Sequence, residues 1–285
     1  MNDLWHGSEL DLDAYLALTG FDGERAPTLA TLRALHRGHT TSIPFENLEP
    51  VLGRPVLLDL PSLQAKLVRS ARGGYCFEHV TLFAAVLERL GYDFTALVGR
   101  VVVGAPEGAI RPATHALLIV RPADDDREWL CDVGFGGGPL EPLEFADGTE
   151  SEQDGWRFRL VRLADDEFGV RHWTLEQHGP DGWARRHVFA QVPAFPIDYT
   201  VGSHYVSTHP RSPFVGRVFA QHFAPGLLRQ LDNLALTTTW PDGTSETRDL
   251  EPDEFAKTLA EFGIVPSRDD LENTLKVVAG EGTPG

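Results

Sequence analysis

Residues 72–78, which read RGGYCFE, bring a cysteine to the start of a helix directly after two glycines. The unpaired amides and the positive dipole end of a helix N-terminus favour a thiolate over a thiol. Such a thiolate is a nucleophile if a base handles protons and a third group orients that base. Cys76 is therefore a candidate nucleophile, although a buried structural thiol remains the alternative for this segment taken alone.

Candidates for the base and the orienting acid lie on two successive predicted strands. His115 lies in the apolar run 114–120, and Asp132 follows the apolar start of 129–136. Buried polar groups need partners, and antiparallel pairing about the acidic turn at 124–126 would let the carboxylate hold one imidazole nitrogen. The other nitrogen would then face Cys76. A core histidine bonded to backbone and a turn-capping aspartate remain open as alternatives.

The second cysteine and a nearby histidine raise the question of a metal site. Cys131 is adjacent to Asp132, so strand alternation points it to the opposite face and predicts a core thiol. His79 follows Cys76 on the same predicted helix, but no second histidine or carboxylate cluster completes a zinc site. We therefore expect no metal.

The order of predicted elements indicates an α+β fold. The first ninety or so residues read as short helices, with caps at Asp11 and Thr28, a helix start at Pro61, and an apolar stripe from Val80 to Leu90. Helices return near the end of the chain, after 252 and 267. Strands are predicted between these regions at 95–103, 114–120, 129–133, 170–176 and 183–189, with a later hairpin at 234–240 and 244–250. Helices followed by strands argue against an alternating doubly wound sheet, and 150–154 reads as an exposed acidic connector.

The charge balance excludes some classes of partner. Lys and Arg number 25 against 42 Asp and Glu, so the net charge of −17 disfavours nucleic acid and anionic membrane surfaces. No stretch approaches the roughly 20 apolar residues of a membrane span, and no apolar core of signal-peptide length follows the N-terminus. Two cysteines in 285 residues favour a reducing compartment. We expect a soluble, cytoplasmic protein, and the sequence leaves its oligomeric state open.

Three motifs, in this order, resemble those of the arylamine N-acetyltransferase family. They are residues 43–48 (IPFENL), residues 72–78, and residues 132–136 (DVGFG). The resemblance covers most of the chain, and residues 201–210 also resemble the segment that borders the acyl-donor pocket in bacterial members. It implies a cysteine-protease-like three-part fold. The expected parts are an N-terminal helical bundle with the nucleophile at 1–92, a central β-barrel with the histidine and aspartate at 93–200, and a C-terminal α/β lid at 201–285.

The family resemblance implies an acyltransferase with a catalytic triad of Cys76, His115 and Asp132. Cys76 would take the acetyl group from acetyl-coenzyme A and pass it to an arylamine or arylhydrazine in a ping-pong reaction. His115 would move protons, and Asp132 would fix the tautomer of His115. Backbone amides at the helix start would stabilise the oxyanion.

Further residues are assigned only through the resemblance. Acceptor-pocket walls are expected from Phe45, Phe135 and Tyr205, with plain core packing as the alternative. Thr208 and His209 are expected to border coenzyme A. Phosphate contacts are assigned by charge alone to Arg211 and Arg217, and an ion pair beneath the nucleophile to Glu46 and Arg72.

Other functions remain compatible with the same three side chains. A cysteine hydrolase, a peptidase or a transglutaminase-like enzyme would differ only in the acceptor, and an amide synthase that releases a polyketide chain would differ in its substrate. An inactive scaffolding protein is disfavoured by an intact set of Cys76, His115 and Asp132.

Overall fold

The computed structural model describes residues 3–106 and 108–280, so the last five residues of the predicted lid, 281–285, lie outside it. Eight α-helices are present in this part of the chain, with a 3₁₀ turn at Gly7–Glu9 and a π-helical segment at Gln64–Val68. The helices are α1 (Leu12–Leu18), α2 (Leu29–Ser42), α3 (Leu48–Val51), α4 (Leu60–Leu63), α5 (Cys76–Leu90), α6 (Pro196–Thr208), α7 (Pro252–Glu261) and α8 (Arg268–Val278).

The strands form two antiparallel sheets. The first has the order β5-β4-β3-β2-β9-β8-β7-β6 and curls into a nearly closed barrel, and the second has the order β1-β10-β11-β12-β13. The strands are β1 (Phe45–Glu46), β2 (Asp93–Val101), β3 (His115–Arg121), β4 (Trp129–Cys131), β5 (Leu143–Glu144), β6 (Glu150–Gln153), β7 (Trp156–Arg162), β8 (His172–Gly179), β9 (Gly182–Ala190), β10 (Phe219–Ala224), β11 (Leu227–Asp232), β12 (Ala235–Thr239) and β13 (Ser245–Asp249). This is the expected α+β fold of helical, barrel and α/β parts.

Helix caps occur where the sequence predicts them. The side chains of Asp11, Thr28 and Ser267 each accept a hydrogen bond from the backbone three residues ahead. The helix expected from Pro61 is different, because its α-helical part ends at Leu63 and a π-helical segment continues to Val68.

The prediction of an exposed acidic connector at 150–154 is correct for the exposure of Glu150, Glu152 and Asp154, but wrong in that the segment is a strand. Residues Glu150–Gln153 form β6, paired with β7. The Gln153 side chain is buried, and its carbonyl oxygen accepts hydrogen bonds from the backbone amides of Leu140 (2.8 Å) and Glu141 (2.9 Å). The buried side chain of this strand is a glutamine that accepts hydrogen bonds from loop amides, so the segment has no alternation of apolar residues. The strand could therefore not be predicted from hydrophobic periodicity.

The central helix α5 lies at the core of the helical part. Its residues from Cys76 to Leu87 are buried, and it packs on β3. A second core fills the barrel, and a third lies between the second sheet and α7. The second sheet also takes its edge strand, β1, from the N-terminal part: Phe45 lies opposite Gln221, and Glu46 opposite Ala220. The Glu46 amide also donates to the carbonyl oxygen of Gly74 at 2.8 Å, so β1 links the segment before Cys76 to the C-terminal sheet.

No helix within residues 3–106 and 108–280 is long and apolar enough to cross a membrane.

Candidate active site

Cys76 is the first residue of α5 and is almost fully buried. The N-cap is Tyr75, whose backbone amide donates to the Glu78 carboxylate at 3.1 Å. The first amides of the helix have no intrahelical acceptor, so they are available to an anion at the sulfur. The sulfur lies 3.4 Å from the carbonyl oxygen of Thr114, the residue before His115.

Two glycines near Cys76 let backbone segments approach each other closely. A Cβ atom at Gly134 would lie 2.9 Å from the Cα atom of Cys76, and one at Gly73 would lie 1.9 Å from the carbonyl oxygen of Pro44. Neither position has room for a side chain. Gly134 thus lets the loop after β4 lie against Cys76, and Gly73 lets the segment before α5 lie against the backbone of Pro44.

His115 and Asp132 lie at the ends of two antiparallel paired strands, as expected from the sequence. Strands β3 and β4 are antiparallel, with Leu118 opposite Cys131. His115 begins β3, Asp132 follows β4, and the Nε2 atom of His115 is 3.0 Å from each carboxylate oxygen of Asp132. Because Nε2 is used by the carboxylate, Nδ1 is the nitrogen left for Cys76.

The electrostatics of this pair favour charge on both members. Burial disfavours the imidazolium, but the Asp132 carboxylate and interactions with Cys76 outweigh burial and raise the pKa of His115 to about 10. Burial alone would raise the pKa of Asp132. The His115 charge and hydrogen bonds from His115 and His187 instead hold that pKa far below its usual range. A charged His115 beside Cys76 is the state that stabilises a thiolate.

Two further histidines contact Asp132, and sequence reasoning missed both. The Nε2 atom of His187, on β9, is 2.8 Å from the Oδ2 atom of Asp132. The backbone amide of Asp132 donates to the Nε2 atom of His36, on α2, at 3.2 Å. The Nδ1 atom of His36 is 3.0 Å from the carbonyl oxygen of Leu140, so His36 links the acid loop to α2. Only the apolar neighbours of these residues hinted at burial.

Cys131 is a core thiol, as the strand alternation predicts. It is fully buried, and burial raises its pKa well above the ordinary value.

His79 is used by a hydrogen-bond chain within the helical part. Its Nε2 atom is 3.0 Å from the carbonyl oxygen of Gly74, and its Nδ1 atom is 2.9 Å from the Nε2 atom of His39. The Nδ1 atom of His39 is in turn 3.0 Å from the hydroxyl of Tyr15. Both nitrogens of His79 therefore have hydrogen-bond partners within the helical part.

One group in the described residues has metal-compatible spacing. The ligand atoms of His115, Asp132 and His187 lie within 4.8 Å of one another. These atoms already bind each other, since both imidazoles donate to the carboxylate. The absence of a metal remains a prediction.

A buried ion network lies beside the segment that precedes α5. The expected pair is present: the Nε atom of Arg72 donates to the Oε1 atom of Glu46 at 2.9 Å. Lys66 donates to Glu78 at 2.7 Å, and Arg72 also reaches Glu49 at 2.9 Å. Glu46 is fully buried, and the charges of Lys66 and Arg72 keep its pKa below the usual value although burial opposes this. The network fixes the segment that precedes α5.

Of the aromatic residues assigned to an acceptor pocket, Phe45 and Phe135 lie close to Asp132 and His115, whereas Tyr205 lies on α6. The Phe135 ring packs edge-on against His115, with 5.2 Å between ring centroids, and it is half-buried. Phe45 is buried and packs against Phe214, with 5.7 Å between centroids. Tyr205 instead stacks on His209, at 4.5 Å. The structure adds Phe214, which also contacts Tyr75 beside the nucleophile.

The residues assigned to the acyl donor lie at the end of α6. Thr208 is exposed and lines an open groove of about 1020 Å³ between α6, residues 50–61 and the N-terminal segment. No triad residue lines this groove. His209 is half-buried and accepts from the backbone amide of Arg211 at 3.1 Å. Arg217 is paired with Asp232, which leaves Arg211 the better candidate for a phosphate.

Comparison with known proteins gives a consistent result. The model of a family described as N-acetyltransferase matches residues 28–270. An arylamine N-acetyltransferase of Mycolicibacterium smegmatis is 44% identical over 72% of this chain and 74% of its own length. The crystal structure of the Nocardia farcinica arylamine N-acetyltransferase is 55% identical, with a TM-score of 0.91 and 95% of each chain covered. The Mycobacterium marinum arylamine N-acetyltransferase, solved in complex with CoA, is 36% identical, with a TM-score of 0.86, covering 94% of this chain and 99% of that one.

Proposed function

Because this chain belongs to the arylamine N-acetyltransferase family, and is therefore an acyltransferase, we propose that it moves an acetyl group from acetyl-coenzyme A to an arylamine or arylhydrazine through Cys76. The observation that carries the proposal is a cysteine at a helix start whose sulfur lies 3.4 Å from the carbonyl oxygen of Thr114, the residue before His115 in the buried His115–Asp132 pair. The relative solved with CoA supports the donor.

In the first half-reaction, the Cys76 sulfur attacks the thioester carbonyl carbon. The bond from that carbon to the coenzyme A sulfur breaks, and His115 gives its proton to the departing thiolate. Helix-start amides stabilise the oxyanion, a contribution of about 2.7–4 kcal/mol per donor. In the second half-reaction, the acceptor nitrogen attacks the acetyl carbon, its proton passes to His115, and the Cys76 sulfur leaves. Asp132 holds His115 by Nε2 throughout, so Nδ1 carries the moving proton.

The surroundings of the triad suggest how the substrates are placed. Phe135 lies against His115 and forms the pocket wall nearest the proton-transfer group. Phe45 and Phe214 form a second wall near Tyr75. Tyr205 is proposed as an outer wall of the pocket, because it stacks on His209 at the end of α6. Thr208 and His209 are proposed to contact a part of coenzyme A distant from its sulfur. The sulfur must reach Cys76, and no triad residue lines the groove that contains Thr208.

The test is the mass of the intact protein after mixing with acetyl-coenzyme A, and again after adding an arylhydrazine. Wild type should gain one acetyl group and lose it to the hydrazine. Cys76→Ala should gain none. Cys131→Ala removes the other, buried cysteine and should behave as wild type.

A Cys76→Ala protein that still acetylates an arylamine would refute the nucleophile. An adduct that water removes as fast as the hydrazine does would favour a cysteine hydrolase. No adduct on wild type would refute acetyl-coenzyme A as the donor.

A further inference from the structure

Strand β9 contains an irregularity at the point where it passes the triad. Leu175 of β8 lies opposite His187, but the next residue, Glu176, lies opposite Arg185, so Arg186 is an extra residue in β9. Such a bulge re-aims side chains, and bulges are common next to active sites. In a regular strand, consecutive side chains point to opposite faces. Here both Arg186 and His187 are buried.

His187 donates a hydrogen bond to the catalytic acid. An ionised carboxylate only accepts hydrogen bonds, so the contact between His187 Nε2 and Asp132 Oδ2 at 2.8 Å places the hydrogen on Nε2. The side chain has no solvent exposure, and its ring centroid is 4.7 Å from that of His115. Its Nδ1 atom has no hydrogen-bond partner among the described residues.

The groups around His187 keep it neutral. Burial lowers its pKa to about 4 and outweighs the opposing effect of Asp132, while the charges of His115 and Arg186 act in the same direction as burial. The Arg186 guanidinium lies 4.0 Å above the Phe135 ring and hydrogen-bonds to Gln177. Asp132 thus faces one charged imidazole, that of His115, and one neutral imidazole, that of His187.

We infer that His187 is a positioning residue, which the bulge in β9 directs at Asp132 so that the carboxylate keeps its two-oxygen contact with His115. The effect of His187 on catalysis rests on the proposed function, whereas its effect on the geometry of Asp132 does not. Without the donor at Oδ2, the carboxylate can rotate, and one of its buried oxygens loses a partner. His115 would then be held less firmly in the charged, Cys76-facing state.

The decisive comparison is between His187→Phe, which keeps a ring but has no donor, and His187→Gln, which keeps an N–H donor. The readout is the rate of Cys76 alkylation by iodoacetamide as a function of pH, with the site identified by peptide mass. We expect His187→Phe to react about 10- to 100-fold more slowly near neutral pH, the range typical of partners that orient a functional histidine, with the midpoint of its profile at higher pH. His187→Gln should recover most of the rate.

The matched control is His172→Phe. His172 also bonds a carboxylate on the barrel, with Nε2 2.9 Å from the Asp166 carboxylate, but it lies away from the triad. Its profile should match wild type. A His187→Phe profile that coincides with wild type overturns the inference, and so does a His187→Gln rate as low as that of His187→Phe.

A measurement on wild type covers the case in which His187→Phe does not fold. Nitrogen-15 NMR of the histidines should show hydrogen on the Nε2 atom of His187 near neutral pH. A His187 whose Nε2 atom carries no hydrogen overturns the inference. Neither alkylation nor NMR uses acetyl-coenzyme A, so failure of the proposed acetyl transfer would be seen separately in the adduct experiment.

Discussion

Asp132 is the residue on which most hydrogen bonds of the site converge. Its carboxylate accepts from His115 at both oxygens and from His187 at one, and its backbone amide donates to His36. An asparagine has the same shape but only one acceptor oxygen, and its NH₂ group can face neither imidazole N–H. One of the two histidines would have to change its tautomer or lose its partner.

We expect Asp132→Asn to fold and to lose activity by about 10⁴-fold, as when the acid of a comparable triad is replaced and the histidine takes the wrong tautomer. The measurement is the single-turnover rate of Cys76 acetylation, together with thermal unfolding. Asp166→Asn, which alters the partner of His172, is the control and should stay close to wild-type activity. Loss of less than about tenfold in Asp132→Asn would contradict the role of Asp132.

The residues of the site differ in how far the sequence can predict them. Cys76 has a local signal, because two glycines and a helix start surround it. His115 and Asp132 can be paired because they lie on successive strands with a short turn. His187 cannot, since it lies more than fifty residues from Asp132 in the sequence, and the bulge at Arg186 breaks the alternation that would show which way it points.

The loop after β4 and the helix α5 meet through backbone alone. At Gly134, a methyl group would lie 2.9 Å from the Cα atom of Cys76, with the Cys76 carbonyl oxygen at 3.0 Å. The neighbouring atoms belong to a helix that is buried along most of its length, so they have little freedom to move. A single added methyl group at Gly134 would therefore push apart the helix that carries Cys76 and the loop that carries Asp132.

We expect Gly134→Ala to cost about 1–3 kcal/mol of unfolding free energy, the range for overpacking a tight interior, and to reduce activity further by moving Asp132 from Cys76. Urea unfolding and the rate of Cys76 acetylation measure the two effects. Gly179→Ala is the matched control, because a Cβ atom there meets no other atom within 4 Å. Equal behaviour of the two variants would show that the close approach is unimportant.

At the level of elements, the pattern predicts hairpins better than irregular pieces. The hairpin of β12 and β13 is confirmed because alternating residues flank a Pro-Asp-Gly turn. Helix α6 was not predicted, since its apolar residues Ile197 and Val201 are exposed and leave no clear stripe facing the core. Strands β10 and β11 were also missed, although Pro225 and Gly226 between them are residue types typical of a hairpin turn.

Five histidines are buried in the described part of the chain, and the pKa is lowered in four of them and raised in the fifth. Burial lowers the pKa of His36, His79 and His187 to about 4, and it lowers that of His39 well below the ordinary value. His115 is the exception, with its pKa raised to about 10 against the effect of burial. In the unfolded chain, all of these groups titrate near 6.5.

The sign of the pH dependence follows from these directions. As pH falls from about 6.5 to about 4, these four histidines bind protons in the unfolded chain but stay neutral in the folded protein. The free energy of unfolding therefore decreases over this range. Each such proton contributes a slope of about 1.4 kcal/mol per pH unit. As pH rises from about 6.5 towards 10, the stability contributed by charged His115 is lost.

We therefore expect the unfolding free energy, measured with urea, to fall steeply between about pH 6.5 and pH 4. His79→Gln should show a shallower slope over this window, by about one proton, whatever its stability at neutral pH. A free energy that is flat over the window, or an unchanged slope in the variant, would contradict the neutral state of these histidines.

The pairing of β1 with β10 has a consequence for shortened forms of the protein. Residues 1–200 contain Cys76, His115 and Asp132, so a truncated chain would retain every reacting group. It would also leave the backbone of Phe45 and Glu46 without its partner strand β10. The Glu46 amide donates to the carbonyl oxygen of Gly74, two residues before Cys76, so a minimal catalytic fragment would lose the support that the C-terminal sheet gives to this segment.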